Sequence, residues 1–370
     1  MIKIGFDARA LAGRRTGIGN YVWHLLDELG QIMPETKFIA YSPVGQHPSI
    51  PESIKHYQIR SNSAYPLMSG NFWLKWRALS LIRKDDLDVF WAPKTLYPSR
   101  LIGHTPVVTT VHDLNHLICP ETMPLINRLA HKLYFDQDVA QADKVIANSL
   151  ATASKVQNLL GRHVDFVVAP GVDKEFFPKK SSEILFVRKK YNLLKPYILF
   201  IGTLEPRKNL SRLLDSFQSL QQQGYKELSL VLVGQRGWKN RELEARLDHG
   251  IDGVLELGYV PNQDLAALYS GAEVFILPSL YEGYGMPVAE ARACGTRIVA
   301  TDITELYEAG GVEGIYINPL SVDDLTKGII RALAAPKTVA EKLTTWHQGA
   351  QIMAQIFTEL AEIKKRTKSN

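Results

Sequence analysis

The sequence predicts an α/β protein built from two doubly wound domains. Short apolar segments alternate with helical segments along the 370-residue chain. Continuously apolar strands separated by helices are typical of parallel sheets that are covered on both faces. The alternation occurs in two successive series, and the length corresponds to about two domains at ~150 residues each. We therefore expect two doubly wound parallel sheets.

The predicted elements follow in order along the chain. Strands are predicted at residues 3–7, 38–41, 88–91, 107–111, 144–148, 197–202, 228–234, 274–278 and 297–301, and helices at residues 21–29 and 72–83. The polar, lysine-rich segment 173–195 separates the two series and follows a turn signal. We expect an N-terminal domain over residues 1–175 and a C-terminal domain over residues 190–345.

The composition excludes several classes of protein. Hydrophobic residues make up 45% and charged residues 22% of the chain, as in soluble globular proteins. Cys119 and Cys294 are too few for a disulfide scaffold or a cysteine-rich zinc site. No apolar run approaches the ~20 residues of a membrane-spanning helix, and Asp7 falls where a signal peptide would be apolar. The sequence therefore predicts a soluble, cytoplasmic protein.

The net charge of +5 lies entirely in the first half of the sequence. Residues 1–180 carry 21 lysine and arginine residues against 16 aspartate and glutamate residues, whereas residues 181–370 carry 22 of each kind. Nucleic acid, anionic lipid head groups or a phosphorylated substrate would each explain the excess, as would lysines scattered over the surface.

Three loops that follow or precede predicted elements carry candidate functional residues. The glycines of residues 13–19 let the backbone approach an anion at the start of a helix, although a flexible turn has the same pattern. His112 directly follows a strand and is either functional or structural. Arg207 and Lys208 lie at the start of a helix, where a cation is unfavourable unless an anionic ligand binds there; a solvated basic turn is the alternative.

The most specific string is residues 278–290, which follow a predicted strand. Glu282 lies in a glycine-rich turn, and Glu290 lies on the helix that Pro287 would start. Two carboxylates eight residues apart would contact two ends of a polyhydroxylated ligand.

Two further patterns favour a structural interpretation. Asp86 and Asp88 resemble a metal-binding Asp-x-Asp pair, but they precede a strand instead of following one. The basic, aromatic segment 71–84 could lie on an anionic membrane, but a crossover helix of an α/β domain has the same pattern and is the favoured interpretation. No His/Cys cluster has the spacing of metal ligands.

Taken together, these strings resemble the retaining GT-B glycosyltransferases of family 4. The resemblance rests on Asp7-Ala-Arg and on residues 16–21, 111–113, 170–173, 202–209, 258–260 and 282–290, the last of which matches the family signature Glu-x7-Glu. It implies two Rossmann-like domains that face a central cleft, the first binding the acceptor and the second a nucleotide-sugar donor. A helix within residues 346–365 is expected to pack back on the first domain.

The resemblance also implies a role for each matching residue. Lys208 would neutralise the donor diphosphate, Glu282 would lie beside the transferred sugar, and His112 would lie near its C6 side. The implied donor-binding residues are Gly17 and Gly19 near the diphosphate, Val260 at the base, Gly285 and Met286 at the sugar hydroxyls, and Glu290 at the ribose. Thr203 occupies the position of an arginine in many members, and Arg207 is the candidate to supply that charge.

The implied activity is a retaining transfer of a hexose. Residues 202–209 resemble those of bacterial mannosyltransferases, so we expect mannose from GDP-mannose and a lipid-linked or growing polysaccharide acceptor, such as lipopolysaccharide. Lys208, Arg207 and loop amides would stabilise the leaving diphosphate, so neither a metal nor a cofactor is expected. The alternatives are a UDP-sugar donor, an epimerase or phosphorylase of similar fold, and a non-catalytic binding subunit. Contact with an anionic membrane is a further expectation, and nucleic acid is not an expected partner.

Overall fold

The chain folds into two compact units. A computed structural model describes residues 1–13, 15, 17–62, 70–237, 241–341 and 343–369. Unit 1 comprises Met1–Leu117, Met123–Gly171 and Thr344–Asn370, and unit 2 comprises Ile118–Thr122 and Val172–Leu343.

Unit 1 is built on a seven-stranded parallel sheet with the strand order β3-β2-β1-β4-β5-β6-β7. The strands and helices are β1 (Lys3–Asp7), α1 (Gly17–Ile32), β2 (Lys37–Tyr41), β3 (Tyr57–Arg60), α2 (Gly70–Trp76), α3 (Leu79–Lys84), β4 (Val89–Ala92), β5 (Val107–Val111), α4 (Asn115–Ile118), α5 (Leu125–Gln141), β6 (Lys144–Ala147), α6 (Leu150–Leu160) and β7 (Phe166–Val167). The strand order reverses between β1 and β4, and ligands of such sheets bind outside the strand ends at this point.

Unit 2 contains a six-stranded parallel sheet with the order β10-β9-β8-β11-β12-β13. Its elements are α7 (Ser181–Lys190), β8 (Tyr197–Ile201), α8 (Leu210–Gln222), β9 (Ser229–Val233), α9 (Arg241–Asp248), β10 (Val254–Gly258), α10 (Asn262–Gly271), β11 (Val274–Leu277), α11 (Met286–Ala293), β12 (Ile298–Thr301), α12 (Thr304–Gly310), β13 (Ile315–Ile317) and α13 (Val322–Ala334). Here the order reverses between β8 and β11.

The prediction of two doubly wound parallel sheets is confirmed, and the central strands lie where the apolar runs indicated. Four strands were missed, namely β3, β7, β10 and β13, and each is the edge strand of its sheet. An edge strand is covered less completely, so β3 and β10 mix polar with apolar residues, whereas β7 and β13 are apolar but only two and three residues long. Tyr57–Arg60, for example, alternates exposed and half-buried residues. The segment 173–195, expected to separate the domains, contains α7, which packs on α10 within unit 2.

The segment predicted as one helix over residues 72–83 forms two helices, α2 and α3. The break occurs where the amide of Ala78 donates to the carbonyl of Trp73, five residues earlier, which interrupts the regular i to i−4 pattern. Trp73 and Leu74 are fully buried, which fits a crossover segment packed on the sheet. Asp88 accepts a hydrogen bond from the amide of Lys3 at the amino end of the sheet, at 2.8 Å.

A long helix, α14 (Trp346–Ser369), follows unit 2 in the chain but packs on α1 of unit 1. Its buried positions share the spacing of one helical face and are Trp346, Ala350, Met353, Phe357 and Leu360. The ring of Trp346 stacks on His24 with centroids 4.8 Å apart. No helix among the described residues is long and apolar enough to cross a membrane.

Gly171 permits the start of α14 to approach the end of the second segment of unit 1. A Cβ atom at position 171 would overlap the backbone nitrogen of Trp346 and the carbonyl carbon of Thr345. At Gly349, by contrast, the closest atoms to a Cβ would be side-chain atoms of Val168 and Leu25, at 3.1 and 3.3 Å, and the backbone oxygen of Ala169 would lie at an ordinary contact distance of 3.7 Å.

We therefore expect Gly171→Ala to lower the free energy of unfolding by about 1–3 kcal/mol, since backbone atoms must shift to accommodate the methyl group. Gly349→Ala is the matched control, because the neighbouring side chains can move and alanine favours a helix by up to ~1 kcal/mol relative to glycine. Thermal unfolding of both variants checks this. Equal losses in the two variants would contradict the close approach at Gly171.

Candidate active site

The loops that follow β8 and β11 meet at the carboxyl ends of the strands of unit 2. They bring together Lys208 and Glu282, whose Nζ and Oε1 atoms lie 2.6 Å apart. The second carboxylate oxygen of Glu282 accepts from Nη1 of Arg207 at 2.8 Å. Both oxygens of this buried carboxylate are therefore occupied by cations.

Arg207 is held by two carboxylates and a carbonyl. Its Nη2 and Nε atoms donate to Oε1 of Glu205 at 2.7 and 3.1 Å, and Nη1 also donates to the carbonyl of Tyr281 at 2.7 Å. Four charged side chains, Glu205, Arg207, Lys208 and Glu282, thus form a cluster with no net charge. An anion that approaches Lys208 has to compete with Glu282.

The charges of this cluster alter each other's ionisation. Burial raises the pKa of Glu282, but Arg207 and Lys208 outweigh that effect and lower the pKa to about 2. Burial lowers the pKa of Lys208, and Glu282 opposes the shift. Glu282 is therefore ionised throughout the physiological range.

Asn209 locks the turn that presents Arg207 and Lys208. It adopts the left-handed conformation with φ of 59°, which asparagine tolerates better than most residues. Its Nδ2 atom donates to the carbonyls of Pro278 at 3.1 Å and Pro319 at 2.7 Å. This residue ends the Arg-Lys-Asn string, and only its tolerance of positive φ signals its role. Thr203 lies at the start of the same loop and is half-buried.

The start of α11 carries the remaining donor-site candidates of the second loop. Gly285 has φ of 92°, and a Cβ atom there would overlap the side chain of Leu306. Met286 is the first residue of the helix, so its amide lies among those without a partner inside the helix. Glu290 lies one turn further on. Val260 follows β10, and its side chain is buried in the core of unit 2, so only its backbone is available to a ligand.

Tyr269 contacts Glu290 and was missed by sequence reasoning. Its hydroxyl donates to Oε2 of Glu290 at 2.7 Å, and its ring is buried between Phe176 and Phe275. Burial raises the pKa of Glu290 to about 7, although the bond from Tyr269 opposes the rise. A tyrosine on a helix 21 residues earlier gives no sequence signal of this contact.

The remaining candidates belong to unit 1. His112 follows β5, its Nε2 donates to the carbonyl of Pro93 at 2.7 Å, and its ring meets Tyr21 edge-on at 4.9 Å. Burial lowers the pKa of His112. Gly17 is exposed at the start of α1, whereas Gly19 is buried and packs on the carbonyl of Ala10. Thr16, which belongs to the same loop, lies outside the described residues.

Metal ligands were not expected from the sequence. In the part of the chain that the structure describes, no group of three or more His, Cys, Asp or Glu side chains is arranged to hold a metal ion.

Two family profiles match the chain. One described as Glycosyltransferase Family 4 matches residues 15–176, and one described as Glycosyl transferases group 1 matches residues 195–335. The chain is 30% identical over 348 residues to O-antigen chain mannosyltransferase B of Escherichia coli, a match that covers 90% of this chain and 91% of that protein. It is 26% identical over 276 residues to serotype-specific mannosyltransferase WbdA of Escherichia coli, of which the match spans 34%.

Solved structures share the fold. Sucrose-phosphate synthase from Thermosynechococcus elongatus superposes with a TM-score of 0.77 at 20% identity, over 97% of this chain and 99% of that chain. Anabaena HepE in complex with UDP-glucose superposes with a TM-score of 0.66 at 19% identity, over 100% of both chains. Two Rossmann-like units of this kind, together with the profile matches, define a glycosyltransferase with the GT-B fold. The chain belongs to the group 1 glycosyltransferases of family 4.

We predict that Lys208→Ala and Glu282→Ala each reduce turnover at least ~100-fold, as the loss of one preorganised electrostatic group typically does. Lys226→Ala and Glu227→Ala are matched controls, because both side chains are exposed in the same unit. Steady-state transfer assays measure the effect, and circular dichroism verifies that each variant is folded. Near-normal turnover in either folded site variant would contradict the assignment.

The raised pKa of Glu290 predicts that the difference in stability between the wild-type protein and the variant Glu290→Gln depends on pH. The native carboxyl holds its proton up to about pH 7, above the ordinary value of 4.5, so the native state binds more protons and stability falls as pH rises through this window. Glu290→Gln removes that loss. We expect it to be nearly neutral at about pH 4.5 and stabilising, on the order of 1–3 kcal/mol, at about pH 8.

Thermal unfolding across this range measures the difference, with the exposed Glu313→Gln as control. A difference for Glu290→Gln that stays the same at every pH would rule out the raised pKa.

Proposed function

We propose that the chain is a retaining mannosyltransferase that uses GDP-mannose and extends a lipid-linked or growing polysaccharide at the cell surface. The observation that carries the catalytic part is the cluster in which Glu282 pairs with Lys208 and Arg207 at the strand ends of unit 2. The choice of mannose rests on the 30% identity to an O-antigen chain mannosyltransferase.

The cluster is suited to breaking a bond between a sugar and a phosphate. Negative charge develops on the leaving diphosphate, and a fixed ammonium such as Lys208 stabilises it without reorganisation. When the diphosphate binds Lys208, Glu282 is released from part of its ion pair and can stabilise the positive charge that develops on the sugar ring. The proposed mechanism needs no metal ion or cofactor.

We assign Arg207 a positioning role in this mechanism. Glu205, Glu282 and the carbonyl of Tyr281 occupy its guanidinium, so it orients the Glu282 carboxylate. This differs from the expectation that Arg207 replaces the arginine that many members carry at the position of Thr203. Lys208 is then the principal cation for the diphosphate.

The other candidates complete a donor site in unit 2. Backbone amides of Gly285 and Met286 at the start of α11 would donate to sugar hydroxyls, and Glu290, oriented by Tyr269, would accept from the ribose hydroxyls. The backbone at Val260 would contact the base. His112, Gly17 and Gly19 would act from unit 1, which we propose as the acceptor domain.

Two alternatives have specific support or a specific test. HepE is a protein of similar fold in complex with UDP-glucose, which keeps a UDP-sugar donor as the alternative. A non-catalytic binding subunit would keep the fold without donor turnover. Neither alternative explains the identity to the mannosyltransferase as directly.

A peripheral contact with anionic lipid remains a prediction. Four exposed apolar residues of unit 1 lie on α5 and are interspersed with two exposed cations, Arg128 and Lys132, whereas the segment 71–84 exposes one large apolar residue, Trp76. The apolar residues are Leu125, Ile126, Leu129 and Leu133. Sedimentation with vesicles of phosphatidylglycerol tests this contact.

A donor screen tests the proposed function. We expect transfer or hydrolysis with GDP-mannose, little with UDP- or ADP-sugars, and equal rates with and without EDTA. The anomeric configuration of the product, measured by NMR, is expected to match that of the donor. A preference for a UDP-sugar overturns the donor, strict metal dependence overturns the metal-free mechanism, and turnover of no donor supports a binding subunit.

A further inference from the structure

Lys94 occupies a distinctive position at the carboxyl edge of the sheet of unit 1. It follows β4, which lies next to β1 at the point where the strand order reverses. Its side chain is half-buried and lies within electrostatic reach of Asp7, Arg9 and His112. The proposed mechanism does not use Lys94.

The turn that presents Lys94 is strained and held in place. Thr95 has φ of 69°, a conformation that is an outlier for a β-branched residue. Its Oγ1 atom donates to the carbonyl of Thr110 at 2.8 Å, and its own carbonyl accepts from Oγ1 of Thr109 at 2.8 Å. Strain of this kind persists where the surroundings over-determine it, and it clusters at functional sites.

Asp7, the carboxylate that interacts electrostatically with Lys94, forms a bidentate pair with Arg9. Its Oδ1 accepts from Nε of Arg9 at 2.7 Å, and its Oδ2 accepts from Nη2 at 2.7 Å. The remaining Nη1 atom of Arg9 donates to Asn71 at 3.0 Å. The bidentate pair is thus complete without Lys94.

The ammonium of Lys94 therefore has no hydrogen-bond or ion-pair partner among the described residues. Asp7, Arg9 and Lys94 together carry a net charge of +1. Burial and the neighbouring charge of Arg9 lower the pKa of Lys94, and Asp7 only partly opposes them. His112 donates its Nε2–H to the carbonyl of Pro93, so it offers no compensating charge. A partly buried, unpaired cation is costly for folding.

We propose that Lys94 binds a phosphate or diphosphate group carried by the acceptor. This inference rests on the proposed function to the extent that unit 1 receives the acceptor. An ammonium suits a phosphate oxygen as a compact point charge, and charge-assisted bonds are the stronger kind. The anion supplies the charge that the Asp7–Arg9 pair cannot supply, and the strained turn at Thr95 holds Lys94 at the carboxyl edge of the sheet.

Titration calorimetry with inorganic pyrophosphate tests the site without requiring turnover. The donor site also binds diphosphate, so the comparison uses wild type, Lys94→Met, Lys208→Met and the double variant. We expect two binding events in wild type, one in each single variant and none in the double variant, with Lys94→Arg restoring the lost event. The exposed Lys55→Gln serves as control. The proposal is overturned if Lys208→Met alone abolishes binding, or if the double variant binds like Lys208→Met.

Thermal stability supplies a readout that a structural role would not give. Without ligand, Lys94→Met removes an unpaired cation, and we expect the Tm to rise by about 2–4 °C. Pyrophosphate is expected to raise the Tm of Lys208→Met but not that of the double variant. A lower Tm for Lys94→Met would identify Lys94 as a structural residue and overturn the proposal.

Kinetics then identify the group as part of the acceptor. With a decyl mannosyl diphosphate acceptor, we expect Lys94→Met to raise the KM for acceptor about 10- to 100-fold, in line with the loss of one charge-assisted bond. With decyl mannoside, which lacks the phosphates, KM should not change. An equal rise for both acceptors, or a rise in the KM for donor, contradicts the proposal. If neither the wild type nor any variant uses GDP-mannose, the proposed donor is wrong. The calorimetric titration with pyrophosphate still tests whether Lys94 binds a diphosphate.

Discussion

The paired charges at Glu282 are the interaction on which the site depends. Lys208 and Glu282 lie 74 residues apart in sequence, yet their side chains meet at 2.6 Å. Two neighbouring parallel strands, β8 and β11, end at the same edge and deliver the two loops. The amide of Leu280 also donates to the carbonyl of Arg207 at 2.8 Å, which joins the loops through their backbones. A carboxylate buried between two cations is stable only if all three charged groups remain in place. The ion pairs therefore hold the two loops together, and the loops in turn position the charged side chains.

The balance of charge in the cluster explains how a site can hold four charged side chains and still suit the anion that we propose as its ligand. Its four side chains neutralise one another, so the protein does not bear the cost of an uncompensated buried charge. In the proposed mechanism, a diphosphate would replace Glu282 as the anionic partner of Lys208. Unit 1 contrasts with this arrangement, because Lys94 remains beside an already complete Asp7–Arg9 pair. The two sheet edges thus differ: Lys208 is paired with Glu282, whereas Lys94 lies close to a carboxylate that Arg9 already binds.

Much of the fold was predictable because central strands of parallel sheets are buried on both faces. Val107–Val111 and Ser229–Val233, for instance, are fully buried and read as continuous runs. Val254–Gly258 is half exposed at an edge and was missed for that reason. In the site, the sequence identified Lys208, Glu282 and Glu290 as individual side chains. It could not identify contacts between distant elements, such as those of Tyr269 with Glu290 and of Asn209 with Pro319, because no local pattern encodes them.

The docking of α14 on α1 affects the order in which the chain can fold during synthesis. The ribosome makes α1 first, then all of unit 2, and only then α14. Leu25 on α1 is fully buried and faces Gly349, so it can be buried only after the ribosome has made a helix that lies more than 300 residues later in the chain. Unit 2 is continuous from Val172 to Leu343 apart from one short segment, so it can fold before unit 1 is complete. Unit 1 consequently has the higher contact order. Until α14 is made, the apolar face of α1 stays uncovered, so unit 1 is the half of the chain that would need a chaperone to prevent aggregation during translation.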